Sequence, residues 1–372
     1  MSEAMKNQGI ETTTTALAAA LDPSRPPESP IPTQESLIDQ ARNEGVAGLL
    51  YKSLLASGAF DALPQEDQET LRAYYYQTLR VNIRLLHALQ QVLARSNQEG
   101  IRVVILQGMD LLHDLYEDIG QRPLMDIDLW VSKKDYPGFV GVLESLGYER
   151  DAIYPDTFRQ GPAVLDVHTH ILWADRIQAR KMILDKSEDH IIREVREIEM
   201  EGQKAFCLGP CDQVLYLSLH AFKHRVNRLI WLVDIKRILE RWKEQDWKRL
   251  AARAEELGQR KTLLAILFLL EQVFQFKSPR EALKPLGKKR LCLLEKKILR
   301  ARMGKGALPA WGPVFIFSSE LGLLNRFRFL LENLFPRPEI LRQVFPPPPH
   351  LRPWQLYLKR AAQLIRMVGR SV

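Results

Sequence analysis

From residue 34 onward the hydrophobic positions recur at three- and four-residue intervals. "ESLIDQARNEGVAGLLYKSLLASG" and "PQEDQETLRAYYYQTLRVNIRLLHALQQVLARSNQEG" each carry an apolar stripe along one side of a helix. Pro64 suits a helix start and Gly100 a helix stop. The period then shortens. "IRVVILQG" (101–108) is a short β-branched run ending in Gly108, and "MDLLHDLYED" is a short amphipathic helix. "PLMDIDLWV" reads as a strand, "KKDYPGFVGVLESLGY" as a helix closed by Gly147, and "AVLDVHTHI" (163–171) as another strand. "REIEMEGQKAFCLG" (196–209) predicts a hairpin with Glu201-Gly202 at its turn. After Pro210 the pattern is helical again, near 210–225, 228–243, 246–257, 259–276 and 281–302.

This layout predicts an α+β protein: a small mixed β-sheet with flanking helices and a C-terminal helical domain. Five segments follow. Residues 1–33, rich in Thr, Ser and Pro, read as a disordered leader. Residues 34–100 supply N-terminal helices, 101–209 the α/β core and 210–305 the helical domain. Residues 306–372 form a tail with a stiff proline spacer, "FPPPPHLRP", and a last basic amphipathic helix, "WQLYLKRAAQLIRMVGR".

Composition adds limits. At 372 residues and 46% hydrophobic the chain can bury a large core, so its strand acids are not forced by poor composition. Three scattered cysteines (Cys207, Cys211, Cys292) do not make a disulfide framework and point to a reducing compartment. Cys207 and Cys211 read as ordinary thiols, since structural zinc needs four ligands. The longest apolar run, "TLLAILFLLEQVFQF", contains Glu271 and reads as a core helix, so no transmembrane segment and a cytoplasmic location are expected. The net charge of +8 suits a polyanion, a nucleotide or an acidic surface, with a basic cluster at "KPLGKKRLCLLEKKILRARMGK". A solvated helix face is the simpler reading of that cluster, and nucleic acid is a weakly supported partner.

The chemistry concentrates in "MDIDLW". Residues two apart on a strand face the same way, so Asp126 and Asp128 share a side. Asp166, His168 and His170 share a side of the later strand. If the strands are neighbours, three carboxylates converge and repel unless a cation lies among them. Mg²⁺ is the natural candidate, with Mn²⁺ as substitute, because it prefers oxygen ligands and phosphate company. The plainer reading pairs each acid with a local Arg such as Arg122. Upstream, "VVILQGMDLL" is strand, Gly, helix, and a Gly at such a turn lets phosphate approach the backbone N–H groups of a helix start.

The text "ILQGMDLLHDLYEDIGQRPLMDIDLWVSKKDYPGFVGVLESLGYE" resembles the uncharacterised nucleotidyltransferase family of the polymerase-β-like nucleotidyltransferase superfamily. The likeness extends through "LDVHTHI" and "LYLSLHAFKHRVNRLIWLVDIKRILE", over residues 36–276. It implies that Asp126 and Asp128 are metal ligands and that Asp166 is the third acid, a ligand or general base. It also implies a phosphate-binding loop at Gln107 and Gly108, and Arg122 near the phosphates. The implied activity is Mg²⁺-dependent transfer of a nucleoside monophosphate from an NTP to an acceptor: small molecule, protein or RNA. The loop departs from the family pattern, with Gln107 where Lys is usual and Met109 where the superfamily carries Ser. That departure leaves a second expectation, an inactive nucleotide-binding or interaction module with the same fold.

Other acids and histidines read as structural. His168 and His170 form an H-x-H, but the barrel hydrolases that use such a pair need eight βα units. His220 and His224 lie one turn apart without the Glu of a zinc protease. Asp234 is expected in a buried polar contact between helices, reaching His220 or Arg228, with the cleft as the alternative. The last helix is expected to dock on the protein's own core, with a membrane or partner surface as the alternative.

Overall fold

The computed structural model describes residues 14–21, 35–172, 177–184, 186–279, 281–286, 290–345 and 352–369. A seven-stranded mixed sheet lies at the centre, in the order β3-β4-β5-β2-β1-β7-β6. The strands are β1 (Val104–Ile105), β2 (Ile127–Trp130), β3 (Glu149–Arg150), β4 (Thr157–Gln160), β5 (Ala163–His168), β6 (Arg196–Met200) and β7 (Gln203–Cys207). β2 runs parallel to β5 and antiparallel to β1, and β1 runs parallel to β7. The fold class is α+β, as the alternation of periods predicts.

Strand alternation splits the side chains between two cores. Ile105, Ile127, Leu129, Leu165 and Val167 face one side. There they meet Leu85, Leu89, Val92 and Leu93 of α4 (Gln65–Gln98) and Phe139 and Leu143 of α6 (Tyr136–Ser145). Val104, Leu106 and Trp130 face the opposite side and join the helical body. That body includes α5 (Gly108–Leu115), α8 (Pro210–Lys223), α9 (Leu229–Glu240), α10 (Glu244–Glu256) and α11 (Arg260–Phe274).

Two expectations shift in detail and a third holds. Residues 14–20, inside the segment read as a loose leader, form a helix, α1, because Leu17 and Ala18 bury fully or nearly so. Ser53 Oγ donates to the Ala20 carbonyl at 2.7 Å, fixing α1 on α3 (Ala47–Ala56). Residues 1–13 and 22–33 of that segment, and the prolines of the spacer, lie outside the described residues. The helix expected over 281–302 is instead α12 (Leu293–Lys305), started by Cys292 and Glu295 capping each other's backbone. The hairpin at Glu201-Gly202 is present, with both residues at positive φ (51° and 72°), which matches the twist of the paired strands.

Candidate active site

β2 and β5 pair in register, with Asp128 opposite Asp166 and Trp130 opposite His168. Side chains at partnered positions of parallel strands stand on the same face. Asp128 and Asp166 are therefore neighbours, and Asp126 joins them from the residue before β2 begins. His168 Nε2 lies 2.8 Å from Asp128 Oδ1. Thr157, partnered with Asp166 in the antiparallel β4–β5 pair, donates its hydroxyl to Asp166 Oδ1 at 2.5 Å. Asp126 accepts no side-chain hydrogen bond among the described residues. Burial, then repulsion from Asp128 and Asp166, pushes its carboxyl up to about 7. His168 and Lys223 oppose that rise.

Three carboxyl groups thus meet at this end of the sheet, and their repulsion keeps one of them from ionising readily. The donor atoms are carboxylate oxygens, the set a hard divalent cation prefers. Among the described residues, no three His, Cys, Asp or Glu side chains form a ready-made metal cluster, so the three carboxylates would have to turn toward a shared ion.

Gln107 and Gly108 lie at the strand-to-helix turn beside β2. Gln107 holds φ 58° and ψ −129°, a conformation that costs a non-glycine residue on the order of 1–3 kcal/mol. Its Nε2 lies 3.5 Å from the Tyr216 hydroxyl. Gly108 itself is the first residue of α5. A Cβ there would meet Arg122 Nη1 at 2.0 Å, so the guanidinium is what requires glycine.

Arg122 is buried, and its charge is committed. Its Nη2 donates to Asp234 Oδ2 at 2.7 Å and its Nε to Asp234 Oδ1 at 3.0 Å, while the Tyr116 hydroxyl donates to the same carboxylate. Asp234 does make the expected buried contact, but to Arg122 and Tyr116 rather than to His220 or Arg228. Asn82, wholly buried on α4, holds the loop that leads to the acids. Its Nδ2 donates to the carbonyls of Ile119 (2.5 Å) and Arg122 (2.7 Å), and its Oδ1 accepts from the Leu124 amide (3.2 Å). Loop, ion pair and glycine therefore form one rigid support behind the site.

Three contributors escape a sequence reading. Thr157 lies on a strand with no motif of its own. Lys223 and Arg228 sit in "FKHRVNR", between α8 and α9, where Arg225 and Val226 both take positive φ (61° and 48°). A β-branched residue in that region is strained, and such strain clusters at working sites. Arg228 feels the Asp126 carboxylate and places Nη1 3.7 Å from Met125 Sδ. Met125 and Arg228 line one cavity and Lys223 another, and none of the three acids lines either. One, of about 210 Å³, is lined by Arg42, Tyr74, Met125 and Arg228. The other, of about 150 Å³, is lined by Arg180, Lys223, Arg225, Phe317 and Phe329.

The remaining candidates are structural. The His220 and His224 rings are 4.6 Å apart and both pack on Trp231. Burial holds His220 well below its usual titration range, hence neutral. Burial pushes the Cys207 thiol up to about 12 and Cys211 to about 11, so neither is a thiolate ready for zinc. His170 Nδ1 lies 2.7 Å from Glu188 Oε2, away from the acids. Among the described residues, no helix is long and apolar enough to cross a membrane.

No curated protein and no solved structure matches the chain. A family model does, over residues 32–275, the stretch that contains the sheet, the three acids, the Gly108 turn and the Arg122–Asp234 pair. The chain belongs to that family, the uncharacterised nucleotidyltransferases.

Proposed function

We propose that the protein transfers a nucleoside monophosphate from an NTP to an acceptor in a Mg²⁺-dependent reaction centred on Asp126, Asp128 and Asp166. The observation that carries this reading is the β2–β5 register, which sets Asp128 beside Asp166 with Asp126 adjoining.

An acceptor oxygen attacks the α-phosphorus, the new P–O bond forms, the α–β bridging bond breaks, and pyrophosphate leaves. Asp166 takes the acceptor's proton, with Thr157 occupying Oδ1 and Oδ2 left for the transfer. His168 fixes the orientation of Asp128. The first N–H groups of α5, after Gln107, offer donors to phosphate oxygens. Mg²⁺, when held by the three carboxylates, supplies charge neutralisation during in-line displacement. Lys223 and Arg228 add positive charge beside the acids.

The test is incubation of the full chain with labelled NTPs, Mg²⁺ and cell extract, followed by mass spectrometry for nucleotidylated products. Labelled product with the native chain, and none with Asp126→Asn plus Asp128→Asn at unchanged circular dichroism, supports the reading. Mg²⁺-dependent NTP binding without product or pyrophosphate would favour the inactive module, which the Gln107-Gly108-Met109 loop suggests.

A further inference from the structure

The basic excess of this chain is not spread evenly. Of 53 basic and 45 acidic residues, nine and two lie from Leu321 onward, which leaves the rest of the chain nearly neutral. Among the described residues, the same region holds ten of the nineteen large hydrophobic residues that are exposed. They fall in helices α14 (Leu323–Leu334), α15 (Pro338–Val344) and α16 (Pro353–Gly369) and the short links after them.

Their positions follow helical geometry. At roughly 100° per residue, Leu323, Leu324, Phe327, Leu331 and Leu334 occupy an arc of about 100° on α14. All five are 42–88% exposed. Phe329, on the opposite side, is buried and anchors the helix. Arg326 and Arg328 border the apolar arc on either edge. On α16, Trp354, Leu358 and Ile365 share one side and are 56–73% exposed, while Leu356 faces the other way and is fully buried. Lys359 and Arg366 lie together on one flank of that row, about 80–100° round the helix.

The two helices are tied together. Arg360 of α16 donates Nε to the Leu334 carbonyl at 2.9 Å and Nη2 to the Asn333 carbonyl at 3.2 Å, capping the end of α14. Glu332, one of the two acids, is also occupied. It accepts the Gln178 amide at 2.6 Å and the Ala179 amide at 2.9 Å. Each helix therefore has one side fixed to the protein and one apolar side, rimmed by cations, facing out. Burying such a row in water-facing proteins is the rule when it packs on a core. Left outside with basic borders and an interfacial Trp, it has the character of a helix lying in a headgroup layer.

We propose that α14 and α16 form a docking surface for an anionic lipid bilayer. The cationic rim meets acidic headgroups while the apolar rows enter the boundary with the acyl chains. A second copy of the chain is a poorer occupant, because it would bring a like-charged rim against this one.

Flotation of the full chain with vesicles of phosphatidylcholine alone, and with phosphatidylserine added, tests this. The chain is expected to float with the anionic vesicles about tenfold more than with neutral ones, and to be released by high salt. Leu323→Glu with Phe327→Glu, and separately Arg328→Gln with Lys359→Gln, should abolish recovery while thermal melting stays unchanged. These positions are exposed, so both variants should fold. Equal flotation of the Leu323→Glu, Phe327→Glu variant, or no flotation of the native chain, overturns the proposal. So does a native dimer in light scattering that the same variant converts to monomer, which would assign the face to self-association. None of these outcomes depends on whether the acids transfer a nucleotide.

Discussion

Gly108 is held to glycine by a guanidinium rather than by its own backbone angle. Gly108→Ala would drive a methyl into Arg122, which is pinned between that glycine and Asp234. The expected outcome is a loss of about 1–3 kcal/mol in denaturant unfolding, with nucleotide binding weakened through the displaced α5 start. Asp234→Ala leaves a buried cation without its partner and should cost about 3–5 kcal/mol in the same measurement. Asp110, buried in the first turn of α5, gives a pH dependence remote from the acids. Burial outweighs the nearby Arg196 and lifts its carboxyl from 3.8 to about 7. The folded state then holds a proton that the unfolded state has released. That contribution is full below pH 3.8 and is lost as pH rises through 7. Asp110→Asn should therefore match the native chain near pH 4 and exceed it near pH 8, by on the order of 2 kcal/mol in thermal or urea unfolding. A variant less stable at pH 8 would contradict the buried-charge account.

At the scale of elements, the pairing of β2 with β5 is what turns scattered acids into a site. Period two alone placed Asp126 and Asp128 on one side of their strand, and the β-branched runs and turn residues located the strands. The sequence could not say that β2 and β5 would be neighbours, because 37 residues, a helix and two strands among them, lie between Asp128 and Asp166. Register is fixed by burying Ile127, Leu129, Leu165 and Val167 against α4 and α6. A one-residue slip would send those side chains to the polar face. Leu165→Ala should cost about 2–5 kcal/mol and lower activity by loosening the strand that carries Asp166. β4 acts through Thr157. Thr157→Val removes the donor to Asp166 Oδ1 at nearly constant volume. The expected result is a fall in kcat with little change in KM for the NTP, since the Asp166 carboxylate loses the hydroxyl that fixes its orientation. An unchanged kcat would separate this contact from the reaction.

Across the whole molecule, a buried ion pair ties the N-terminal helices to α12. Arg302 Nη2 of α12 lies 2.6 Å from Glu44 Oε2, beside the N-terminal helices, and the same oxygen accepts the Leu229 amide at 2.6 Å. Arg302 is wholly buried, and two of its nitrogens, Nε and Nη1, have no hydrogen-bond partner. Burial raises the Glu44 carboxyl above its usual range, with Arg302 opposing that rise. Arg302→Ala should destabilise by about 3–5 kcal/mol, because it leaves Glu44 buried and less compensated. Arg302→Met should be milder, since it refills the space but still leaves Glu44 without the cation. Urea unfolding of the two variants distinguishes lost packing from lost charge.

Local information was enough for the long helices, for strands β1, β2, β5, β6 and β7, for the hairpin at Glu201-Gly202 and for the shared side of Asp126 and Asp128, because each depends on near neighbours in sequence, whereas the short strands β3 and β4 left no pattern of their own. The same holds for Pro64 and Gly100 as helix limits: Gln65 begins α4 and Gly100 takes φ 68° after it. Tertiary structure alone assigned Arg122 to Asp234, Thr157 to Asp166, and Lys223 and Arg228 to the surroundings of Asp126. Those partners lie up to 112 residues apart, and charge pattern along a chain carries no record of which buried groups must neutralise one another. The outward face of α16 belongs to the same class. Its amphipathic pattern was legible, but only packing decides which side of an amphipathic helix meets the core and which is left to another medium.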